Sequence, residues 1–180
     1  MFNKEKLLDR TECLTLLTTK ASSHWSYWKF ILGIPLILTS SSMVIINSIT
    51  TDGNEVKIPN IIVNSISVLI MSLTNSIKAS EKLDLFHRLS QQFMMLSCEL
   101  EQVEEEDISL EEGKTLLLKY EQLVSQVCFE EIPQSIKISV SKLYTDNQKF
   151  IPIQLNGTSA IFHKNNRNSG NSIKLSSEIV

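Results

Sequence analysis

The chain has 180 residues, with 17 Lys and Arg against 20 Asp and Glu, for a formal charge of −3. That is the length of one domain, and the small charge with no basic patch argues against a nucleic-acid partner. Cys13, Cys98 and Cys128 are odd in number and widely spaced, so they suggest neither a disulfide framework nor a metal site and fit a reducing compartment.

Residues 1–29 open the chain. Phe2, Leu7, Leu8, Leu14, Leu16 and Leu17 stand among charges, the pattern of an amphipathic helix that lies along a membrane or packs on a later helix. The charges before the first apolar run, and the length of that run, argue against a cleaved signal peptide. Trp25, Tyr27, Trp28 and Lys29 follow. Rings with one polar edge favour a membrane interface, and a lysine beside them can snorkel.

The next segment, 30–77, is the organising feature. Phe30 to Ile49 and Ile58 to Ile77 are each twenty residues without a charged side chain. As helices they would each be about 30 Å long, the thickness of a bilayer's hydrocarbon core. The pattern predicts a transmembrane hairpin of two spans, 30–49 and 58–77. In the first span Gly33, Ser40 and Asn47 recur every seven residues, a small and polar stripe of the kind that lets helices approach closely in lipid. Pro35 is expected near the start of this helix, where a missing donor costs least. Asp52 and Gly53 signal a turn, and Pro59 marks a helix start. So short a connection makes the spans antiparallel neighbours.

In the second span Asn60, Asn64, Ser67, Thr74 and Asn75 share about 100° of the helix circumference. Ile62, Ile66, Leu69, Ile70, Leu73 and Ile77 occupy the far side. Ten Ile, Leu and Val residues favour insertion by about 3–6 kcal/mol together, and the asparagines subtract from that. The polar face has two readings: packing against Ser40 and Asn47, or the lining of a pore in an oligomer. Arg10, Lys20 and Lys29 precede the first span and Lys78, Lys82 and Arg88 follow the second, whereas the loop holds only Lys57 among acidic residues. The asymmetry predicts an integral membrane protein with both termini cytoplasmic.

Residues 78–144 read as a cytoplasmic helical region, with the second span running on unbroken from Lys78. Phe86, Leu89, Phe93, Leu96, Leu100 and Val103 form a heptad seam for assembly, widened by Leu85, Met94 and Met95 towards a bundle or coiled coil. The acidic run Glu99 to Asp107 lacks the alternating ligands and central glycine of a calcium loop and reads as a solvated helix end. Ser109 and Glu112 suggest a capping box. Leu116, Tyr120, Leu123 and Val127, with Leu117 and Val124 alongside, predict a helix folding back antiparallel and stopping near Pro133. Ile136, Val140 and Tyr144 allow one more. Residues 145–180 are polar, with a disordered tail expected. The expected fold is thus an all-α membrane protein: a two-helix transmembrane hairpin with a cytoplasmic antiparallel helical bundle.

No phosphate-binding glycine loop, CxxC or HExxH occurs, and His24, His87 and His163 are scattered. No catalytic residues, metal or cofactor are expected. The Asn156-Gly157-Thr158 sequon should face the cytoplasm and stay unused.

The HWSYWKF stretch before the first span, the tight hairpin, and the second span flowing into SIKASEKLDLFHRLSQQFMMLSCELEQ resemble the SLATT family, the SMODS and SLOG-associating two-transmembrane effector domains. The resemblance covers residues 20–135. It implies an oligomeric, pore-forming membrane effector of conflict or defence responses, set off by a nucleotide-signalling sensor protein. The composition alone also allows a structural anchor or adaptor whose helices recruit a partner.

Overall fold

In this computed structural model, residues 3–49, 57–103 and 110–155 are described. They form five helices: α1 (Lys4–Ile49), α2 (Lys57–Ile77), α3 (Ala79–Gln102), α4 (Leu110–Gln126) and α5 (Gln134–Asp146). Short 3-10 turns lie at Phe129–Glu131 and Ile153–Leu155, and no strand occurs among the described residues. Two of these helical stretches are long and apolar enough to cross a membrane.

Helix α1 is longer than the sequence pattern suggested. It starts where Asn3 Oδ1 accepts the Lys6 N–H at 2.7 Å, a side-chain N-cap, with Glu5 in the first turn. No glycine or proline follows until Gly33 and Pro35, so the amphipathic segment and the first span are one helix of 46 residues. Pro35 therefore sits in the helix interior, not near a start, and cannot donate to the Ile31 carbonyl. The expected unbroken run from the second span is interrupted: Lys78 has φ 53°, in the left-handed region, and separates α2 from α3. The loop turn at Asp52-Gly53, the acidic residues Glu104 to Asp107, the Ser109 cap and the Asn156 sequon lie outside the described residues.

The chain divides into two compact units. The first joins residues 1–21 to the segment from Phe86 onward, so the N-terminal amphipathic stretch belongs with the later helices rather than with the aromatic belt. Its core draws Leu7, Cys13, Leu14, Leu17 and Ala21 from α1, and Phe86, Leu89, Phe93, Leu96 and Leu100 from α3. Leu116 and Tyr120 of α4, Val127 and Ile132 of the connection after it, Val140 and Tyr144 of α5, and Leu155 complete it. Full burial of each large apolar side chain contributes about 1.5–3 kcal/mol. Thr11 and Thr18 are also fully buried, and their hydroxyls donate to the Leu7 and Leu14 carbonyls at 2.8 and 2.7 Å. Burial, with Asp9 nearby, pushes the Cys13 thiol up to about 12, so it packs as an inert thiol.

Residues 147–155 depart from the expected disordered tail. They fold back on the first turns of α1. Lys149 Nζ donates to Glu12 Oε2 at 2.8 Å and pairs with Asp9 at 3.4 Å. The Phe150 N–H donates to Asp9 Oδ2 at 3.1 Å, and Lys6 lies over the Phe150 ring. Pro152 and Leu155 are fully buried. These two apolar anchors, with a latch far away in sequence, hold an otherwise polar segment in place.

The second unit, Ser22–Leu85, is the hairpin. At one end Asn60 Nδ2 donates to Asn47 Oδ1 at 3.1 Å. At the other, Lys82 Nζ lies 4.5 Å from the Trp25 ring centroid. Together these two contacts set the run from α2 into the first turn of α3 antiparallel to the second half of α1.

Candidate functional site

The hairpin's contact seam is not where the polar stripe alone would put it. On α1 the half-buried residues Leu32, Leu36, Thr39, Met43 and Ile46 are spaced 4, 3, 4, 3. On α2 Asn60, Val63, Ser67 and Ile70 are spaced 3, 4, 3, and Ile77 continues the line. This is the alternating spacing of two helices packed along one seam. Ser40 and Asn47 are exposed beside the seam, and a Cβ added at Gly33 would meet nothing within 4 Å. Of the three residues expected to let the helices meet, Asn47 bonds across the hairpin to Asn60, Gly33 is half-buried and Ser40 is exposed, and each stands one position C-terminal to a seam residue.

The polar face of α2 likewise splits. Asn60 and Ser67 turn into the seam, while Asn64, Thr74 and Asn75 stay exposed. Hydroxyls and amides then differ in their needs. Ser40 donates to the Leu36 carbonyl at 2.8 Å, Ser67 to Val63 at 2.9 Å and Thr74 to Ile70 at 2.8 Å. Ser41, Ser42, Ser48 and Ser65 do the same on their own helices. Such back-bonding satisfies a hydroxyl donor without any partner helix. An asparagine amide has more donors and acceptors to place than one such bond can satisfy. Asn47 and Asn60 bond each other, and Asn60 Oδ1 is buried without a partner among the described residues. The side chains of Asn64 and Asn75 make no hydrogen bond among the described residues. In hydrocarbon each unsatisfied amide would cost several kcal/mol.

Around this polar line the surface is aliphatic. Ile37, Val44, Ile58 and Val68 are exposed by about two thirds, and Ile61, Ile62, Ile66, Leu69 and Leu73 are exposed as well. These exposed side chains belong to the two helical stretches that are long and apolar enough to cross a membrane.

The belt residues gather at the end of the hairpin away from the loop. Trp28 Nε1 donates to His24 Nε2 at 3.1 Å, and the His24 ring meets Trp25 edge-on with centroids 5.5 Å apart. Trp25 Nε1 is buried without a partner among the described residues. Tyr27 and Lys29 are exposed. Sequence reasoning singled out the rings but missed His24 as the acceptor between them. The i, i+4 spacing of His24 and Trp28 was the available signal.

The heptad residues Phe86, Leu89, Phe93, Leu96 and Leu100 are buried within the first unit, at most 3% exposed. They are used up inside one chain rather than left open for assembly. Val103 lies beyond the end of α3 and is half-buried. His87 is exposed and bonds Gln91 at 3.3 Å. Among the described residues no group of three His, Cys, Asp or Glu could hold a metal ion. Comparison of the chain with protein-family models, with curated proteins and with solved structures found no match.

Proposed function

We propose that the chain is a two-span membrane effector of the SLATT kind, whose copies assemble in the bilayer and open it to small solutes. The observation that carries this reading is the hairpin surface: long aliphatic flanks suited to lipid, interrupted by one line of amides that lipid cannot satisfy. In this reading both termini are cytoplasmic and the hairpin spans the membrane. The helical bundle takes the input, which the family resemblance would assign to a nucleotide-signalling sensor.

A second reading is supported by the Asn47–Asn60 bond, which closes part of the polar face within one hairpin. The hairpin is then an anchor, and the bundle recruits a partner as an adaptor. Solute release separates the two. Full-length protein is reconstituted in dye-loaded liposomes over a range of densities. The effector reading expects wild-type leakage that Asn64→Leu abolishes while insertion is retained. Inserted protein that never leaks, at any density or with any activating extract, supports the anchor.

A further inference from the structure

We propose that copies of this chain meet through one edge of the hairpin, the edge carrying Ser40, Asn47, Asn64 and Asn75, and not through the aliphatic edge opposite. This deepens the effector reading and rests on the hairpin being embedded in a membrane.

The argument is one of helix geometry. On α1, Gly33, Ser40 and Asn47 each follow a seam residue by one position: Leu32, Thr39 and Ile46. On α2, Asn64 follows Val63, and Asn75 follows Thr74, which continues the seam spacing. One position is a rotation of about 100°, so both sets are turned away from the seam by the same angle in the same helical sense. The helices are antiparallel, as the Asn47–Asn60 and Trp25–Lys82 contacts require. Viewed from one end of the hairpin, one helix advances clockwise and the other anticlockwise. Equal rotations from a shared seam therefore land on the same side of the pair. The two polar stripes lie on one edge, although nothing in the linear sequence connects them, and the exposed Ile37, Val44, Ile61, Val68 and Met71, each also one position after a seam residue, stand between the amides there.

The opposite edge carries Ile31 and Leu38 from α1 and Ile62, Ile66 and Leu73 from α2, all exposed. Lipid chains suit it. The amide edge needs both donors and acceptors, and its hydroxyls are already bonded within their own helices. A second copy supplies what is missing, because a primary amide is donor and acceptor at once and so complements itself. At Gly33 the edge is open, with no atom near the position of an added Cβ, so a neighbour is not held off there.

The test uses the full chain in membranes with Cys98 and Cys128, both exposed, replaced by serine, and with Cys13 left buried in its core. Single cysteines are placed at Asn64, Asn75 and Ser40 on the amide edge and at Ile66 and Leu38 on the other. Each variant is first extracted with alkaline carbonate and then oxidised. The expected result is disulfide-linked dimer at Asn64→Cys and Asn75→Cys at least fivefold above Ile66→Cys and Leu38→Cys. Release of the chain by carbonate overturns the membrane reading and this inference with it. Retention in the membrane with equal, reversed or absent cross-linking overturns this inference alone. A variant that dimerises only after dilution into detergent counts as absent.

Discussion

Phe93 offers a direct test of how the first unit is held together. It is fully buried, yet its neighbours Met94 and Met95 are 61% and 65% exposed. A Phe→Ala change in a packed core costs about 3–5 kcal/mol through lost transfer energy and a residual cavity. Exposed changes outside special features cost under about 0.5 kcal/mol. Small domains have about 5–15 kcal/mol in hand, so Phe93→Ala should leave a folded bundle that opens far more often. Cys13 supplies the readout, being fully buried and held protonated by its surroundings. With Cys98 and Cys128 replaced by serine, a thiol reagent reaches Cys13 only through opening. At about 1.4 kcal/mol per decade, Phe93→Ala should speed labelling by about 10²- to 10³·⁵-fold where reclosing outpaces reaction. Met94→Ala and Met95→Ala should change it by about twofold or less. Phe93→Ala labelling within threefold of wild type, or a larger effect at Met94, would refute the register of α3 described above.

Other expectations follow from the hairpin, the core and the charges. Asn60→Leu removes the bond to Asn47 together with an unpartnered buried oxygen, so the effects oppose and the net change should stay below about 1 kcal/mol. Asn47→Leu leaves Asn60 wholly unpaired and should cost more; equilibrium unfolding in mixed micelles would show the order, and a reversal would contradict it. Burial chiefly raises Cys13 from 9.0, and Tyr120 and Tyr144 from 10.0, each to about 12, while its bond to Glu12 chiefly raises Lys149 above 10.5. In each case the folded state holds its proton more tightly than the unfolded state. Stability from these groups is therefore full below about pH 9 and lost as the pH rises towards 12, so the bundle's urea midpoint should fall between pH 9 and 11. A midpoint that rises over that window would reverse the sign. For orientation, a sequon engineered into a lengthened 50–57 loop should be glycosylated in a secretory-pathway membrane while Asn156 is not; the opposite pattern would invert the topology.

Much of the architecture could be read from the residues. Two charge-free runs of twenty, and a line of large apolar residues from Phe86 to Leu100, leave few alternatives to a hairpin and a bundle. The seam inside the hairpin could not be read in the same way. Gly33, Ser40 and Asn47 repeat every seven residues, and the line through Leu32, Thr39 and Ile46, one position earlier, repeats at the same interval. Small-residue packing and large-residue packing are both physically sound in lipid, and only the partner helix decides between them. The latch on residues 147–155 was hidden for another reason. Asp9 and Lys149 are 140 positions apart, and neither belongs to a periodic pattern. Nor could spacing reveal that serine and threonine hydroxyls would turn back on their own helices while the amides had no such option.

The first unit is assembled from both sides of the hairpin, and this sets an order of events during synthesis. Leu7, Leu14 and Leu17 are made early, but their partners begin at Phe86, about 65 residues after Ala21. At about 5–20 residues per second, the apolar stripe of α1 waits roughly 3–13 s with nothing from its own chain to cover it. During that time both spans must emerge and leave the ribosome. A ribosome stalled before residue 86 would therefore display a greasy, unpaired helix directly ahead of a stretch apolar enough to cross a membrane. Targeting factors or chaperones that grip such helices would find their longest opportunity there, and the bundle could close only after the hairpin is complete.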